Sequence, residues 1–209
     1  LLTQSGAFSV VSTGTWVIVM SIGGTDTPLD PARDTLINVN ALGQAVPSAR
    51  FMGGREYEMI QQGAEVTPTA ADVSDILDGQ LMILPAVDPR TGPFRGRSMS
   101  WTGTALQPAT GARTAAVSFY LAMMTDTCLR LTGAQGPTVV EGPFGRNSAF
   151  IDMLGAATGR QVLTSDAATG TSIGAALLFG KSSAMAKPIV ASTTADQSRY
   201  RNYANRWRT

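Results

Sequence analysis

The spacing of the apolar residues changes near position 112, and this change restricts the folds open to the chain. The first half holds four apolar, β-branched runs in two pairs, and a two-residue turn signal interrupts each pair. The pairs are residues 7–12 and 15–22 around Thr13-Gly14, and residues 36–42 and 46–52 around Gly43-Gln44. Such pairs predict two antiparallel hairpins. Short helices are expected after them, over residues 55–62 and 72–77, and then an irregular connection over residues 88–111.

From Ala112 onward the apolar residues recur at helical spacing, which predicts a long helix over residues 112–132 that ends before Gly133. Strands and helices then alternate. The expected elements are a strand at 138–141, a helix from Asn147 or Ser148 to Thr158, a strand at 161–164 and a helix from Thr171 or Ser172. This alternation predicts an α/β fold in which helices pack against a mixed sheet. We expect residues 1–209 to form one domain.

Charge and residue usage exclude several classes of function. Sixteen basic and fifteen acidic residues leave a net charge of +1, which argues against a general electrostatic affinity for nucleic acid or an anionic membrane. The chain has no histidine, so it cannot contain a Ser-His-Asp or Cys-His nucleophile or a histidine-ligated metal. Its single cysteine cannot form an intramolecular disulfide. No apolar run approaches the ~20 residues that span a bilayer.

Three glycine-rich turns are candidates for binding a phosphorylated ligand. The first runs from Ser12 to Trp16, at the first predicted hairpin turn. Exposed N–H groups and hydroxyls in such a turn can cradle phosphate oxygens, and we expect a positive φ at Gly14. Taken alone, the segment is more typical of an ordinary hairpin turn.

The other two turns each open a predicted helix. Residues 141–147 connect a strand to a helix N-terminus, which favours anions, and residues 169–174 begin the helix that follows. The ordinary alternatives are a plain strand-to-helix turn and a capped helix start. Neither segment has the Gly-Lys-Ser/Thr of a P-loop or the Gly-x-Gly-x-x-Gly of a dinucleotide site.

Other polar and aromatic groups favour a structural interpretation. Arg55-Glu56 is more typical of the exposed first turn of a helix than of a polar site. Asp72, Asp75 and Asp78 have a spacing that suits one solvated helix face better than a metal site. The near-helical spacing of three aromatic residues in the tail predicts a terminal helix docked on the domain; these are Tyr200, Tyr203 and Trp207.

Taken in order, these segments resemble the C-terminal domain of the FGGY family of carbohydrate kinases. That family has the ribonuclease H-like fold of actin, hexokinase and Hsp70, a mixed sheet with hairpins first and helices packed on both faces. The Ser-x-Gly-Thr turn at residues 12–15 is similar to the family's second phosphate loop. Residues 141–159 resemble its adenine-side motif, and residues 169–180 resemble the helix after it. The stretch at residues 51–58, with Trp16, is closest to the rhamnulose- and fuculose-type ketose kinases.

The resemblance implies ATP-dependent phosphorylation of a sugar hydroxyl, with a ketose as substrate, Mg²⁺ as a cofactor and the cytoplasm as location. It identifies no metal ligand in this chain. It assigns phosphate binding to Ser12, Thr13, Gly14 and Thr15, and adenosine binding to Gly142, Pro143, Phe144, Asn147 and Gly170. The turn reads Gly-Pro-Phe-Gly where the family more often has glycine and alanine, so Phe144 is expected to shape the base site.

The resemblance also implies functional parts that lie outside the chain. The family's catalytic Asp precedes the Ser-x-Gly-Thr turn, but only eleven residues precede Ser12 here and none of them is acidic. We therefore expect a fragment that supplies the nucleotide-binding half of a kinase and is inactive alone. Its expected partners are its own N-terminal domain and, as a further option, a second copy in a homodimer. The alternative function is a non-catalytic nucleotide-binding or interaction module of the same fold.

Overall fold

The computed structural model describes residues 6–164, 189–190 and 196–209, and within them the predicted order of elements is present. The strands are β1 (Phe8–Thr13), β2 (Val17–Ile22), β3 (Thr35–Val39), β4 (Ala45–Phe51), β5 (Ile83–Leu84), β6 (Ser100–Trp101), β7 (Thr138–Glu141), β8 (Val162–Thr164) and β9 (Ile189–Val190). The helices are α1 (Gly53–Gln61), α2 (Ala70–Gly79), α3 (Gly111–Leu131), α4 (Ser148–Thr158) and α5 (Gln197–Trp207). Short 3₁₀ helices lie at Pro31–Arg33 and Pro143–Arg146.

Seven of the strands form one mixed sheet in the order β3-β4-β2-β1-β7-β8-β9. Both predicted hairpins are confirmed, because β1 pairs antiparallel with β2 and β3 pairs antiparallel with β4. The strand β7 is parallel to β1 and to β8. The register places Ser12 opposite Glu141, so β1 and β7 end side by side. The turns that follow these two strands are therefore neighbours at one edge of the sheet.

The long helix α3 is the centre of the core. The sequence predicts an apolar stripe, but 17 of the 21 residues of α3 are buried, so the helix has no broad solvent face. It packs on β2 and β4 and also contacts α1, α2 and α4, which explains why polar residues such as Thr125 are buried in it as well. Among the described residues, no helix combines the length and the apolar character needed to cross a membrane.

The smaller helices confirm most of the predicted boundaries. Thr69 and Asp72 form a capping box at the start of α2, and Asp78 lies 2.7 Å from Arg199 in an exposed ion pair. The tail docks as predicted, since Tyr200 and Tyr203 are buried with their rings edge-on to Phe119. The helix predicted from Thr171 or Ser172 lies outside the described residues.

Candidate functional site

A cleft of about 430 Å³ opens where β1 and β7 end, and we call it the strand-end cleft. Three segments line it: the turn after β1, the first two turns of α1, and the turn after β7. The turn after β1 leads into β2, and β2 pairs with β4 so that Val17 lies opposite Phe51. Because α1 begins directly after β4, its first turn lies next to the turn after β1. The first two glycine-rich turns of the sequence thus border one cavity. Its size is typical of a small-molecule site.

The N-terminus of α1 lies against the turn after β1. The Gly54 N–H donates to the Thr15 carbonyl oxygen at 3.2 Å, and a Cβ on Gly54 would overlap the Gly14 carbonyl group. No side chain caps α1 at Met52. The Gly54 and Glu56 N–H groups have backbone partners, but the start of α1 keeps the positive end of the helix dipole, so this wall of the cleft suits an anion. The sequence interpretation of Arg55-Glu56 as the exposed first turn of a helix did not indicate this contact, and it is wrong for Glu56, which is buried.

The expected positive φ at Gly14 is wrong. Its backbone is outside the left-handed region, and a Cβ there would meet only the Trp16 carbonyl oxygen, at 3.9 Å. The reason is the length of the turn: β1 ends at Thr13 and β2 begins at Val17, so the loop has three residues rather than the two of a primed turn. Gly14 and the exposed Thr15 line the cleft, but Gly14 is not conformationally required to be glycine.

Thr13 links the two turns instead of facing the cavity. Its hydroxyl donates to the Glu141 carbonyl oxygen at 2.6 Å and accepts from the Phe144 N–H at 3.1 Å. Gly142 packs against it with φ +88°, and a Cβ on Gly142 would overlap the Thr13 carbonyl oxygen. Neither residue lines the cleft, and neither does Ser12, which is in β1. These three residues therefore lie beneath the cleft surface and support the two turns that line it.

The turn after β7 forms the opposite wall through Pro143, Phe144 and Asn147. Phe144 is buried, and its ring lies 6.1 Å from Tyr57 and 5.3 Å from Phe150. The Asn147 side chain caps α4 by accepting from the Phe150 N–H at 3.0 Å, and it donates to the Ser118 hydroxyl at 2.9 Å. Because Asn147 already caps α4, the wall that suits an anion is the start of α1 and not the start of α4.

The charged groups that line the strand-end cleft balance one another. The lining contains two cations, Arg55 and Arg146, and two anions, Glu58 and Glu65. The Tyr57 hydroxyl has no hydrogen-bond partner among the described residues, and burial, with a smaller effect of Glu65, raises the pKa of Tyr57. The Tyr57 hydroxyl has almost no solvent-accessible surface and lies near Glu65, so it belongs to the wall of the cleft.

A buried carboxyl group lies beneath the start of α1. Glu56 has no solvent exposure; it accepts from the Tyr120 hydroxyl at 2.8 Å and from the Asp88 N–H at 3.4 Å. Burial raises the pKa of Glu56 to about 7, although both hydrogen bonds oppose the shift. Asp88 differs, because the hydrogen bond from Arg90 lowers its pKa to about 2. The sequence gives no sign that Glu56 is buried while its neighbour Arg55 is exposed.

The structure thus brings together five of the nine predicted site residues in one cleft: Gly14, Thr15, Pro143, Phe144 and Asn147. Gly170 lies outside the described residues. The cleft also contains residues that sequence reasoning did not select, of which Gly54 and Tyr57 have the clearest roles. A hairpin-first mixed sheet with a cleft at the carboxyl ends of parallel strands is typical of the ribonuclease H-like α/β fold.

Comparison with known proteins identifies the family. The model for the carbohydrate kinase FGGY C-terminal domain matches residues 5–188, which is most of the chain. The chain therefore belongs to the FGGY carbohydrate kinase family and corresponds to its C-terminal domain. No curated protein matches it.

Solved structures of similar fold include several sugar kinases. A carbohydrate kinase from Novosphingobium aromaticivorans has 32% sequence identity and a TM-score of 0.82, with 97% of this chain and 46% of that chain covered. A xylulose kinase from Bifidobacterium adolescentis has 17% identity and a TM-score of 0.65, with coverages of 98% and 44%. A glycerol kinase from Plasmodium falciparum, solved with ADP, has 13% identity and a TM-score of 0.62, with coverages of 96% and 46%. The chain spans less than half the length of these relatives, and the two more distant ones support the fold alone.

Proposed function

We propose that the strand-end cleft binds ATP and that this chain supplies the ATP-binding half of an enzyme that phosphorylates a sugar hydroxyl. The observation that carries the proposal is the convergence of the Gly14 turn, the uncapped start of α1 and the turn at residues 143–147 on one cavity. The glycerol kinase of the same fold that was solved with ADP supports a nucleotide at this kind of domain. A ketose substrate is proposed on the resemblance of residues 51–58 and Trp16, and a cytoplasmic location on the use of ATP.

The two walls of the cleft have different roles in this proposal. The positive dipole end of α1, with the Arg55 N–H, the Gly14 turn and the Thr15 hydroxyl, holds the phosphate groups. The Gly54 N–H is not a donor to the ligand, because it already bonds the Thr15 carbonyl oxygen. Pro143, Phe144 and Asn147 border the adenosine. The two walls are held next to each other by three residues that do not line the cleft, Ser12, Thr13 and Gly142. Their predicted role in ligand binding is therefore revised to a positioning role. Gly170 stays a prediction for the adenosine side.

The chemistry requires little covalent participation from this half. Transfer of a γ-phosphoryl group depends on positioning and on stabilising charge at its outer oxygens. Mg²⁺ supplies part of that stabilisation when it arrives with the nucleotide. No cluster of three potential metal ligands occurs among the residues that the structure describes. The general base and most contacts to the sugar are assigned to the N-terminal domain.

A coupled ADP-release assay with a panel of ketoses and aldoses tests the proposal. The full-length protein is expected to release ADP in a sugar-dependent way, with a ketose as its best acceptor. The chain of residues 1–209 alone is expected to release none, because it has no general base for the sugar hydroxyl. Calorimetry with a non-hydrolysable ATP analogue should show binding to the full-length protein.

Two results would contradict parts of this proposal. If the full-length protein binds the analogue but releases no ADP with any sugar, the domain is a non-catalytic nucleotide-binding module. If residues 1–209 alone turn over sugar and ATP, the general base lies in this chain and the division of roles between two domains is wrong.

A further inference from the structure

A second cleft, of about 840 Å³, lies between the β5–β6 hairpin with its loop, the last turns of α3 and the end of α5. We call it the arginine cleft because four guanidinium groups line it. It shares no lining residue with the strand-end cleft, and none of the described residues that line it is acidic. Its arginines and its largest apolar residues are Arg97, Arg130, Arg206, Arg208, Phe94 and Trp207.

Two of the arginines are held in place by one buried carboxylate. Asp126 is 1% exposed, and its Oδ2 atom lies 2.9 Å from Nε of Arg130 and 2.8 Å from Nη2 of Arg208. Arg208 is further fixed by a bond from Nη2 to the Ala157 carbonyl oxygen at 2.7 Å. Arg130 uses only Nε in these bonds, so its two terminal nitrogens remain available at the cleft.

The other two arginines lie over and beside an aromatic floor. The guanidinium of Arg97 is 5.1 Å from the centre of the Phe94 ring, and Phe94 meets Trp207 edge-on at 5.7 Å. The Trp207 Nε1–H donates to the Ile83 carbonyl oxygen at 2.7 Å, which fixes the indole. Among the described residues, neither Arg97 nor Arg206 has a carboxylate within 4.0 Å.

The arginine cleft therefore concentrates positive charge in a chain that is nearly neutral. It holds four of the 16 basic residues of a chain whose net charge is +1, and Asp126 compensates one of them. Arg97 and Arg206 are exposed, and neither makes an ion pair among the described residues. Uncompensated guanidinium groups around a concave floor favour a bound anion.

We propose that the arginine cleft binds a small phosphorylated organic molecule of about the size of a sugar monophosphate. Guanidinium groups bind phosphate oxygens in pairs through their parallel N–H donors, which explains four arginines in one cavity. The apolar floor of Phe94 and Trp207, with hydroxyls at the rim such as Ser98 and Thr127, suits a carbon skeleton that carries hydroxyls. This site is separate from the proposed ATP site and does not depend on it.

Calorimetry on the full-length protein tests this proposal, with glucose 6-phosphate and inorganic phosphate as probes. Glucose 6-phosphate is expected to bind more tightly than inorganic phosphate, because the floor contributes to the first only. The double variant R97A/R206A is expected to weaken glucose 6-phosphate binding by roughly tenfold or more, since each lost hydrogen bond to a charged group is worth over ~1 kcal/mol. The matched control is Arg201→Ala, which removes an exposed arginine from the same helix α5 and whose only side-chain partner among the described residues is Gln197.

The same titration repeated with a saturating non-hydrolysable ATP analogue separates this site from the strand-end cleft. Unchanged binding of glucose 6-phosphate supports the proposal, and displacement by the analogue overturns it. The proposal is also wrong if glucose 6-phosphate does not bind, if R97A/R206A and Arg201→Ala bind it equally, or if both probes bind with equal affinity. Thermal melting of the double variant shows whether it is folded, and the two single variants repeat the test if it is not.

Discussion

The two clefts differ in the material that forms them. The strand-end cleft is formed by backbone: two glycines in close approach, an uncapped helix start and a turn fixed by Thr13. Its charged side chains, such as Arg55 and Glu58, are exposed and carry both signs of charge. The arginine cleft is formed by side chains that carry one sign of charge. An added methyl group should therefore damage the first cleft, whereas loss of a side chain should damage the second.

Each cleft also lies over a buried carboxyl group, and the neighbours of that group decide its effect. Asp126, beneath the arginine cleft, is paired with Arg130 and Arg208. Glu56, beneath the strand-end cleft, is bonded only to a phenol and to a backbone N–H. Burial without a cation favours the neutral acid. The comparison teaches that two carboxyl groups of similar burial can have different neighbours, which are cations at Asp126 and neutral donors at Glu56.

The largest expected effect is on the pH dependence of stability through Glu56. Its pKa is about 7 in the folded chain against an ordinary value of 4.5, so between these values the folded state holds a proton that the unfolded state has lost. The contribution of Glu56 to the free energy of unfolding is therefore fully present below pH 4.5. It falls as the pH rises to about 7 and is constant above that pH. Glu56→Gln should remove this fall, which amounts to about 3 kcal/mol.

Urea unfolding of the full-length protein at pH 5 and pH 8 measures that slope. The control is Glu58→Gln, an exposed neighbour on the same helix, which should keep the wild-type slope. Equal slopes in Glu56→Gln and wild type would show that Glu56 is ionised in the folded chain across this range.

The second effect concerns turnover and the close approach of α1 to the Gly14 turn. Gly54→Ala places a methyl group where the Gly14 carbonyl lies and must displace one wall of the strand-end cleft. A misplacement of ~1 Å at a reacting site costs about a hundredfold in rate, or about 2.7 kcal/mol. Sugar-dependent ADP release by the full-length protein is the measurement, with thermal melting to show that the variant is folded.

Gly14→Ala is the matched control on the other side of the same contact. Gly14 has an ordinary φ and open space for a Cβ, so this variant should fold without strain and lose less activity than Gly54→Ala. Loss of activity in Gly14→Ala with normal activity in Gly54→Ala would reverse the assignment of the crowded glycine. Glucose 6-phosphate binding should be unchanged in both variants.

The smallest effect is expected at Asp126. Asp126→Asn leaves Arg130 and Arg208 without their shared carboxylate, but these arginines are partly exposed, so solvent screens the loss and the free energy of unfolding should fall by only about 1 kcal/mol. Urea unfolding at low and high salt checks this, and the deficit should shrink as salt rises. Asp75→Asn, an exposed aspartate without an ion pair in the described chain, is the control. A loss above ~3 kcal/mol would mean that the pair behaves as fully buried.

Sequence reasoning recovered the hairpins, the mixed sheet and most helices because their signals are local. A β-branched run, a turn glycine or a capping residue such as Asn147 acts on its immediate neighbours. The glycine-rich turns at residues 12–16 and 141–147 are predictable for the same reason, whereas the cleft that they share is not a local property. It also explains the error at Gly14, since one residue more in the turn removed the need for a positive φ.

What the sequence did not indicate depends on contacts between distant residues. Gly54 must be glycine because Gly14 lies against it, and nothing in the local sequence reports that contact. Thr13 is part of a Ser-x-Gly-Thr turn that is typical of phosphate binding. Its hydroxyl is instead hydrogen-bonded to the backbone of Glu141 and Phe144, far along the chain. The arginine cleft left no signal, because its guanidinium groups come from positions 97, 130, 206 and 208.

The all-round burial of α3 has a consequence for how the chain is made. The β1 strand leaves the ribosome long before β7, its parallel partner, and Phe119 is covered only when α5, at the far end of the described chain, has docked. Contacts between residues so distant in sequence form slowly, and apolar surface that waits for them is prone to aggregation. A nascent chain that has released α3 but not yet α5 therefore exposes apolar surface that is prone to aggregation.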